Sequence, residues 1–87
     1  MEAEVMNERV EVAAVFYKSK TEQHRCVPLK MHWRGRDITF SELGLRHPTS
    51  KGTRMIHVFD VTDGASEYRL EFDTQQLLWA LVGVLSV

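Results

Sequence analysis

The chain has 87 residues, 44% of them hydrophobic and 26% charged, with 5 Gly, 2 Pro and a formal net charge of −1. Such a chain forms one globular domain, residues 1–87, and excludes collagen-like, low-complexity and fully disordered classes. A domain of this length buries only about 60% of its unfolded surface, so the core is thin. Cys26 is the single cysteine. An intrachain disulfide is therefore impossible, and a reducing, cytoplasmic compartment is the simplest expectation. The start, Met1-Glu2-Ala3-Glu4, is acidic where a secretory signal is basic. The longest apolar stretch, Leu77 to Val87, is interrupted by Gly83 and Ser86. It falls short of the ~20 residues that cross a bilayer as a helix, so no membrane association is expected.

The small net charge hides a segregation along the chain. Residues 1–17 carry Glu2, Glu4, Glu8 and Glu11 against Arg9, a net of −3. Residues 18–57 carry nine Lys or Arg against Glu22, Asp37 and Glu42, a net of +6. Residues 58–87 carry Asp60, Asp63, Glu67, Glu71 and Asp73 against Arg69, a net of −4. A near-zero total gives no long-range pull toward nucleic acid, although a local basic patch acts within a Debye length of about 8 Å.

Val10 to Tyr17 is rich in β-branched and aromatic residues and predicts the first strand, with residues 1–8 partly frayed ahead of it. Lys18 to Val27 reads as a polar loop. Leu29, Met31 and Trp33 then alternate with Lys30, His32 and Arg34, the period of a half-buried strand. Gly35-Arg36 suits the centre of a type II′ hairpin, which takes Gly first. That turn opposes Arg34 to Asp37, Trp33 to Ile38, His32 to Thr39 and Met31 to Phe40. Apolar then meets apolar and charge meets opposite charge.

His47-Pro48-Thr49-Ser50-Lys51-Gly52 follows as a polar loop. A second hairpin around Asp63-Gly64 puts Met55, His57, Phe59 and Val61 on one face with Tyr68, Leu70 and Phe72. Its other face carries Arg54, Ile56, Val58 and Asp60 beside Arg69, Glu71 and Asp73. Ile56 and Val58 are apolar on the face expected to be wet, which points to cover by another strand, the N-terminal segment or a partner. Gln76 to Val84 fits two patterns. Leu77, Leu78, Leu81, Val82 and Leu85 make a helical stripe, with Asp73 and Gln76 resembling a capping box. Leu77, Trp79 and Leu81 also alternate as a strand pairing with Tyr68-Leu70-Phe72 across Thr74-Gln75, and the strand is preferred. These elements predict an all-β domain, a small antiparallel barrel or meander of five to six strands, SH3-like in size.

The run Pro28-Leu29-Lys30-Met31-His32-Trp33-Arg34-Gly35-Arg36, then Tyr68-Arg69-Leu70-Glu71-Phe72-Asp73 and Trp79, resembles a small bacterial domain family of unknown function. Members of that family stand alone as short proteins or close the C-terminus of some polymerase-like proteins of DNA-damage mutagenesis. The resemblance covers residues 28–82. It implies an all-β fold, a lean toward DNA-associated work and no catalytic residues.

Two surfaces are candidate sites. Lys30, His32 and Arg34 share a face with Arg36 at the hairpin tip, and Arg46, Lys51 and Arg54 come from the adjoining loop and strand. Small barrels bind single strands by joining such cations to exposed rings on which bases stack. The competing reading is a solvated outer face, because Trp33, Phe40, Tyr68 and Phe72 point inward and cannot stack on bases. A nucleic acid would touch Lys30, Arg34, Arg36 and Arg54. The second surface is apolar: Leu78, Ala80 and Val82 on the outer side of the last strand, near Ile56 and Val58. An exposed patch of this kind marks a protein interface, unless the N-terminal strand folds across it.

His24, His32, His47, His57 and Cys26 match no zinc spacing, so no metal is expected and His57 reads as a core imidazole. Cys26 near His24 supplies two parts of a nucleophilic triad without a scaffold, and no Gly-rich phosphate loop or inward carboxylate pair is present. No catalytic residue and no cofactor is assigned. The expectation is a non-enzymatic interaction module acting through protein contacts, including a homodimer, with an accessory nucleic-acid-binding module in DNA repair as the alternative.

Overall fold

A computed structural model describes residues 2–18 and 24–86. They form seven strands: β1 (Glu2–Lys18), β2 (His24–Trp33), β3 (Arg36–Thr39), β4 (Glu42–Lys51), β5 (Arg54–Thr62), β6 (Ser66–Asp73) and β7 (Leu78–Ser86). The strands make one sheet in the order β3-β2-β1-β7-β6-β5-β4, antiparallel at every step. The all-β expectation holds, with seven strands rather than five to six. No helix among the described residues is long and apolar enough to cross a membrane.

The sheet curls into a half-barrel because two stretches of chain change partners. Residues Glu2 to Val10 of β1 pair with β7, and Glu11 to Lys18 pair with β2. The segment expected to fray is thus held: it completes the ladder of β7, whose backbone would otherwise form an open edge. The second corner is the two-residue link between β3 and β4, the outermost strands of the sheet. Phe40 N–H donates to the Leu29 carbonyl and Ser41 N–H to the Thr62 carbonyl, both at 2.8 Å. The link therefore ties both sheet edges together.

The core lies inside the curl. Phe59, Leu70, Leu81 and Met31 are essentially inaccessible, and Trp33, Ile38, Tyr68, Phe72 and Trp79 surround them. Rings meet across the half-barrel, where Trp33 packs edge-on to Tyr68 at 6.4 Å and Phe40 lies 6.0 Å from Tyr68, and between neighbouring strands, where Phe72 lies 4.6 Å from Trp79. Tilted and edge-on contacts suit the ring quadrupoles.

The first hairpin keeps its predicted faces but not its register. Met31 opposes Ile38, His32 opposes Asp37 and Trp33 opposes Arg36. The turn is Arg34-Gly35, with φ of 50° and 77°, the two positive values of a type I′ turn. The slip is two residues, so every side chain stays on its face. Holding Arg34 in the left-handed region costs about 1–2 kcal/mol. Offsetting contacts come with this register: His32 Nδ1 lies 2.8 Å from Asp37, and the Trp33 indole donates to Glu8 at 2.8 Å. One residue does change face. Leu29 has no partner on β1, since Lys30 pairs with Ala13 and Pro28 with Ala14. This bulge turns Leu29 out and Pro28 in, at a position where a residue without an N–H is tolerated.

The second hairpin closes through a four-residue loop, residues 63–66, with Phe59 opposite Leu70 and Val61 opposite Tyr68. Asp63 builds the loop: its Oδ1 accepts Ala65 and Ser66 N–H, and its Oδ2 accepts the Tyr68 hydroxyl at 2.9 Å. Of the loop expected at 47–52, residues 47–51 instead belong to β4, and the turn is Gly52-Thr53. Pro48 is accommodated because β4 is an edge strand. Likewise residues 24–27, expected in a loop, start β2; the rest of that expected loop beyond Lys18, residues 19–23, lies outside the described residues.

The C-terminal segment is a strand, as preferred, and its competing helical signal has a local cause. Asp73 Oδ1 accepts Gln75 and Gln76 N–H as a cap does, and Leu77 N–H returns to the Asp73 carbonyl at 2.8 Å. A single α-turn forms, and Leu77 at φ 59° ends it. Leu77 is consequently exposed in the loop, while Trp79 and Leu81 point inward.

Candidate functional site

A single transverse row of residues shapes the outer face of the β1-β7-β6-β5-β4 portion. Between Leu43 and Arg46, β4 carries a bulge opposite Asp60. Asp60 opposes Arg69, and Arg69 opposes Gly83 beside the extra residue Val82. Gly83 opposes Val5, where β1 bulges through Met6 and Asn7. Three bulges thus align across five strands. Each bulge adds local twist and bends its strand, so aligned bulges bend the sheet as a unit. Gly44 belongs to this row because a Cβ there would meet the Asp60 carbonyl at 3.3 Å.

The bend leaves a trough of about 840 Å3 across all five strands. Its floor carries the Asp60–Arg69 pair, bidentate at 2.8 and 3.0 Å. Asp60's hydrogen bonds and charge raise the Arg69 pKa, so that cation is fixed and neutralised. Glu71 is likewise taken by Lys51 at 2.7 Å. Glu42 and Glu67 also line the trough, and among the described residues neither has an ion-pair partner. The rim is apolar. Val5 is 94% exposed there, beside Val82 and Leu85. The trough is therefore acidic with an apolar lip.

The structure divides the residues expected to form the apolar patch. Leu78, Ala80 and Val82 are half-buried on or near the outer side of β7, and Val82 reaches the trough. Ile56 and Val58, expected to be available to a partner, are 4% and 5% exposed within the single chain. The N-terminal strand does not cover them, since β1 lies beside β7. Cover comes from paired charges. Lys51 on β4 and Glu71 on β6 flank β5, so their bridge crosses over the Ile56–Val58 stretch, and Arg54 reaches Asp73 at 2.9 Å on the same face. Long aliphatic stems shield the apolar side chains while their heads stay wet.

The expected basic patch does not assemble. Lys30, Arg34 and Arg36 belong to the β2–β3 hairpin, and Arg54 to the β4–β5 hairpin at the far side of the sheet order. Arg34 is not paired with Asp37: it lies 3.4 Å from Glu8 and 4.7 Å over the Trp33 ring. Arg54 is held by Asp73. Arg36 is not at the tip but opposite Trp33, on the side of β3 shared with Ile38. Among the described residues, Lys30 and Arg36 keep no carboxylate partner. The predicted inward rings are inside, so they offer no stacking platform.

Glu8 was invisible as a structural residue in the sequence. It accepts from the Trp33 indole and attracts Arg34, fixing the corner where β1 changes partners. The trough had one readable sign: Gly44 and Gly83 interrupt otherwise strand-like runs, a known mark of bulges. Elsewhere, burial raises the Cys26 thiol pKa against a smaller pull from Arg46, so the free thiol is held protonated. Among the described residues no three His, Cys, Asp or Glu side chains converge as a metal site. No family model matches the chain, and neither a curated protein nor a solved structure is significantly similar to it.

Proposed function

We propose that this protein is a non-enzymatic protein-interaction module whose contact surface is the trough on the outer face of β1-β7-β6-β5-β4. One observation carries this reading: an acidic trough spanning five strands is rimmed by Val5, a valine 94% exposed. A large apolar side chain standing free beside a concave surface is what a protein contact covers. Phosphate backbones are repelled by the same carboxylates. The alternative, an accessory nucleic-acid-binding module of the kind the sequence resemblance implies, retains only Lys30 and Arg36 of its four residues as exposed cations with no carboxylate partner among the described residues. A cytoplasmic location suits a free, protonated thiol.

Two measurements test the reading. A photo-crosslinking residue at position 5 should give a protein adduct in cells, and the same residue at Gln75, exposed in the β6–β7 loop away from the trough, should give none. Labelled single- and double-stranded oligonucleotides should show a flat anisotropy. Binding that weakens steeply with salt and is lost on Lys30→Glu would replace this reading with the nucleic-acid one.

A further inference from the structure

We infer that the open edge of β1, residues 12–18, pairs with the same edge of a second copy of this chain and makes a two-fold dimer. This edge lies apart from the trough. β1 gives its two halves different partners, so each half keeps one edge without a strand beside it. Register fixes which backbone groups face out in the second half. The two-residue turn Arg34-Gly35 makes Trp33 and Met31 bond to β3, so His32 and Lys30 bond to β1 through Glu11 and Ala13. Val12, Ala14 and Phe16 therefore aim their N–H and C=O groups at the open side. There β7 would continue with Leu77 opposite Val12, but Leu77 at φ 59° leaves the ladder. Among the described residues no backbone bond from a turn or loop reaches these groups.

The other open edges carry features that discourage pairing. Lys51 opposite Arg54 closes the β4–β5 turn, which leaves Arg46, Pro48 and Ser50 facing outward, and Pro48 has no N–H to offer. Pro28, opposite Ala14, does the same on β2. Residues 2–9 of β1 carry Glu2 and Glu4 and a bulge at Met6-Asn7. β3 has only four residues. By contrast, Val12-Ala13-Ala14-Val15-Phe16-Tyr17 has no charge, proline or glycine, and its one irregularity puts the extra residue, Leu29, on β2. Val15 and Phe16 are 43% and 63% exposed there.

A second copy matches this edge end to end. The open stretch begins at Val12, where β7 stops, and finishes at Lys18, where β1 ends. A two-fold axis at Val15 opposes Val15 to itself, Ala14 to the partner's Phe16 and Val12 to the partner's Lys18. The whole open edge is then used, and neither strand runs into the other copy's β7. Opposed residues share a face, as antiparallel pairing requires. No like charges are opposed, and a net charge of −1 adds little repulsion. The contact is isologous and closes at two copies.

Sedimentation equilibrium of the full chain should show a monomer–dimer equilibrium that saturates at two chains. Ala14→Pro removes only an N–H that faces the open edge, so it should give a monomer that still melts cooperatively. Val15→Lys, at an exposed position on the outer side, sets like charges opposite each other and should also give a folded monomer. If the proline variant does not fold, the lysine variant decides. In a Cys26→Ser background, Val15→Cys should form a disulfide between copies on oxidation, because the pair at the axis holds its Cα atoms about 4.5 Å apart. Ala13→Cys, whose counterpart lies further along the strand, should not. A wild-type protein that stays monomeric at every concentration overturns the inference and leaves the edge to another protein's strand, while the position-5 crosslink still decides the trough reading. Mass that grows beyond two chains, a dimer that survives a folded Val15→Lys, or equal disulfides at positions 13 and 15 overturn it too.

Discussion

The two faces of β5 bury apolar residues by different means. On the inner face, Phe59 and Val61 are sealed by rings and aliphatic side chains from strands across the curl, and they belong to the main core. On the outer face, Ile56 and Val58 are as well hidden but lie outside that core. Their lid is the Lys51–Glu71 and Arg54–Asp73 pairs, reaching over the strand from either side. The same degree of burial therefore has two strengths. A close-packed interior cannot collapse around a deletion without cost, whereas long charged side chains can settle into the space.

That contrast is open to direct challenge. Phe59→Ala should be the most damaging change, costing about 3–5 kcal/mol in denaturant unfolding. Ile56→Ala removes a comparably hidden side chain but should cost only about 2 kcal/mol, the low end for such truncations, because its lid relaxes. Equal losses would show that the outer layer is packed as rigidly as the core.

A smaller effect distinguishes the Asp63–Tyr68 anchor of the inner face. Burial pushes the Asp63 carboxyl up, but the Ala65 and Ser66 N–H groups and the Tyr68 hydroxyl outweigh it and hold the pKa below its usual ~3.9. A depressed carboxyl stabilises the fold fully above about pH 4, and the contribution fades as pH falls through the lower folded value. Tyr68 is raised by burial and by its bond to Asp63, so its contribution is full below ~10 and fades above. Melting temperature should thus fall at both extremes. Tyr68→Phe should remove the alkaline fall and keep most of the acid one, because both backbone donors remain.

The smallest effect separates charge from stem. Lys51→Ala should cost less than about 1 kcal/mol, as exposed ion pairs do. Lys51→Met keeps the aliphatic cover and should recover most of that loss. A methionine variant no more stable than the alanine one would mean that the ion pair, not the covering stem, shields Ile56.

Much of this fold is legible in the sequence. Alternation alone placed Met31, Trp33, Phe59, Tyr68, Leu70 and Phe72 on a common dry side, since a strand's two-residue period needs no knowledge of its neighbours. The hairpin slip from Gly35-Arg36 to Arg34-Gly35 escaped because two turns differing by two residues give identical faces. What favours one of them is the reach of Trp33 to Glu8, 25 positions away, together with the His32–Asp37 contact. Pro48 and the polar residues around it hid β4, because turn chemistry and an edge strand use the same residue types. The candidate site was the least legible part. Gly44 and Gly83 marked bulges one at a time, and nothing in either local sequence shows that they fall in the same row as Asp60, Arg69 and Val5.

The chain's own order of residues determined which side chains are inward and how charge divides between its segments. Those are local properties, fixed by period, turn residues and composition. Tertiary structure alone decided that β1 serves two partners, that Lys51 and Arg54 roof Ile56 and Val58, and that three bulges align into a trough. Each of these depends on register between segments distant in sequence, where the free energy is set by contacts that exist only once the sheet has curled.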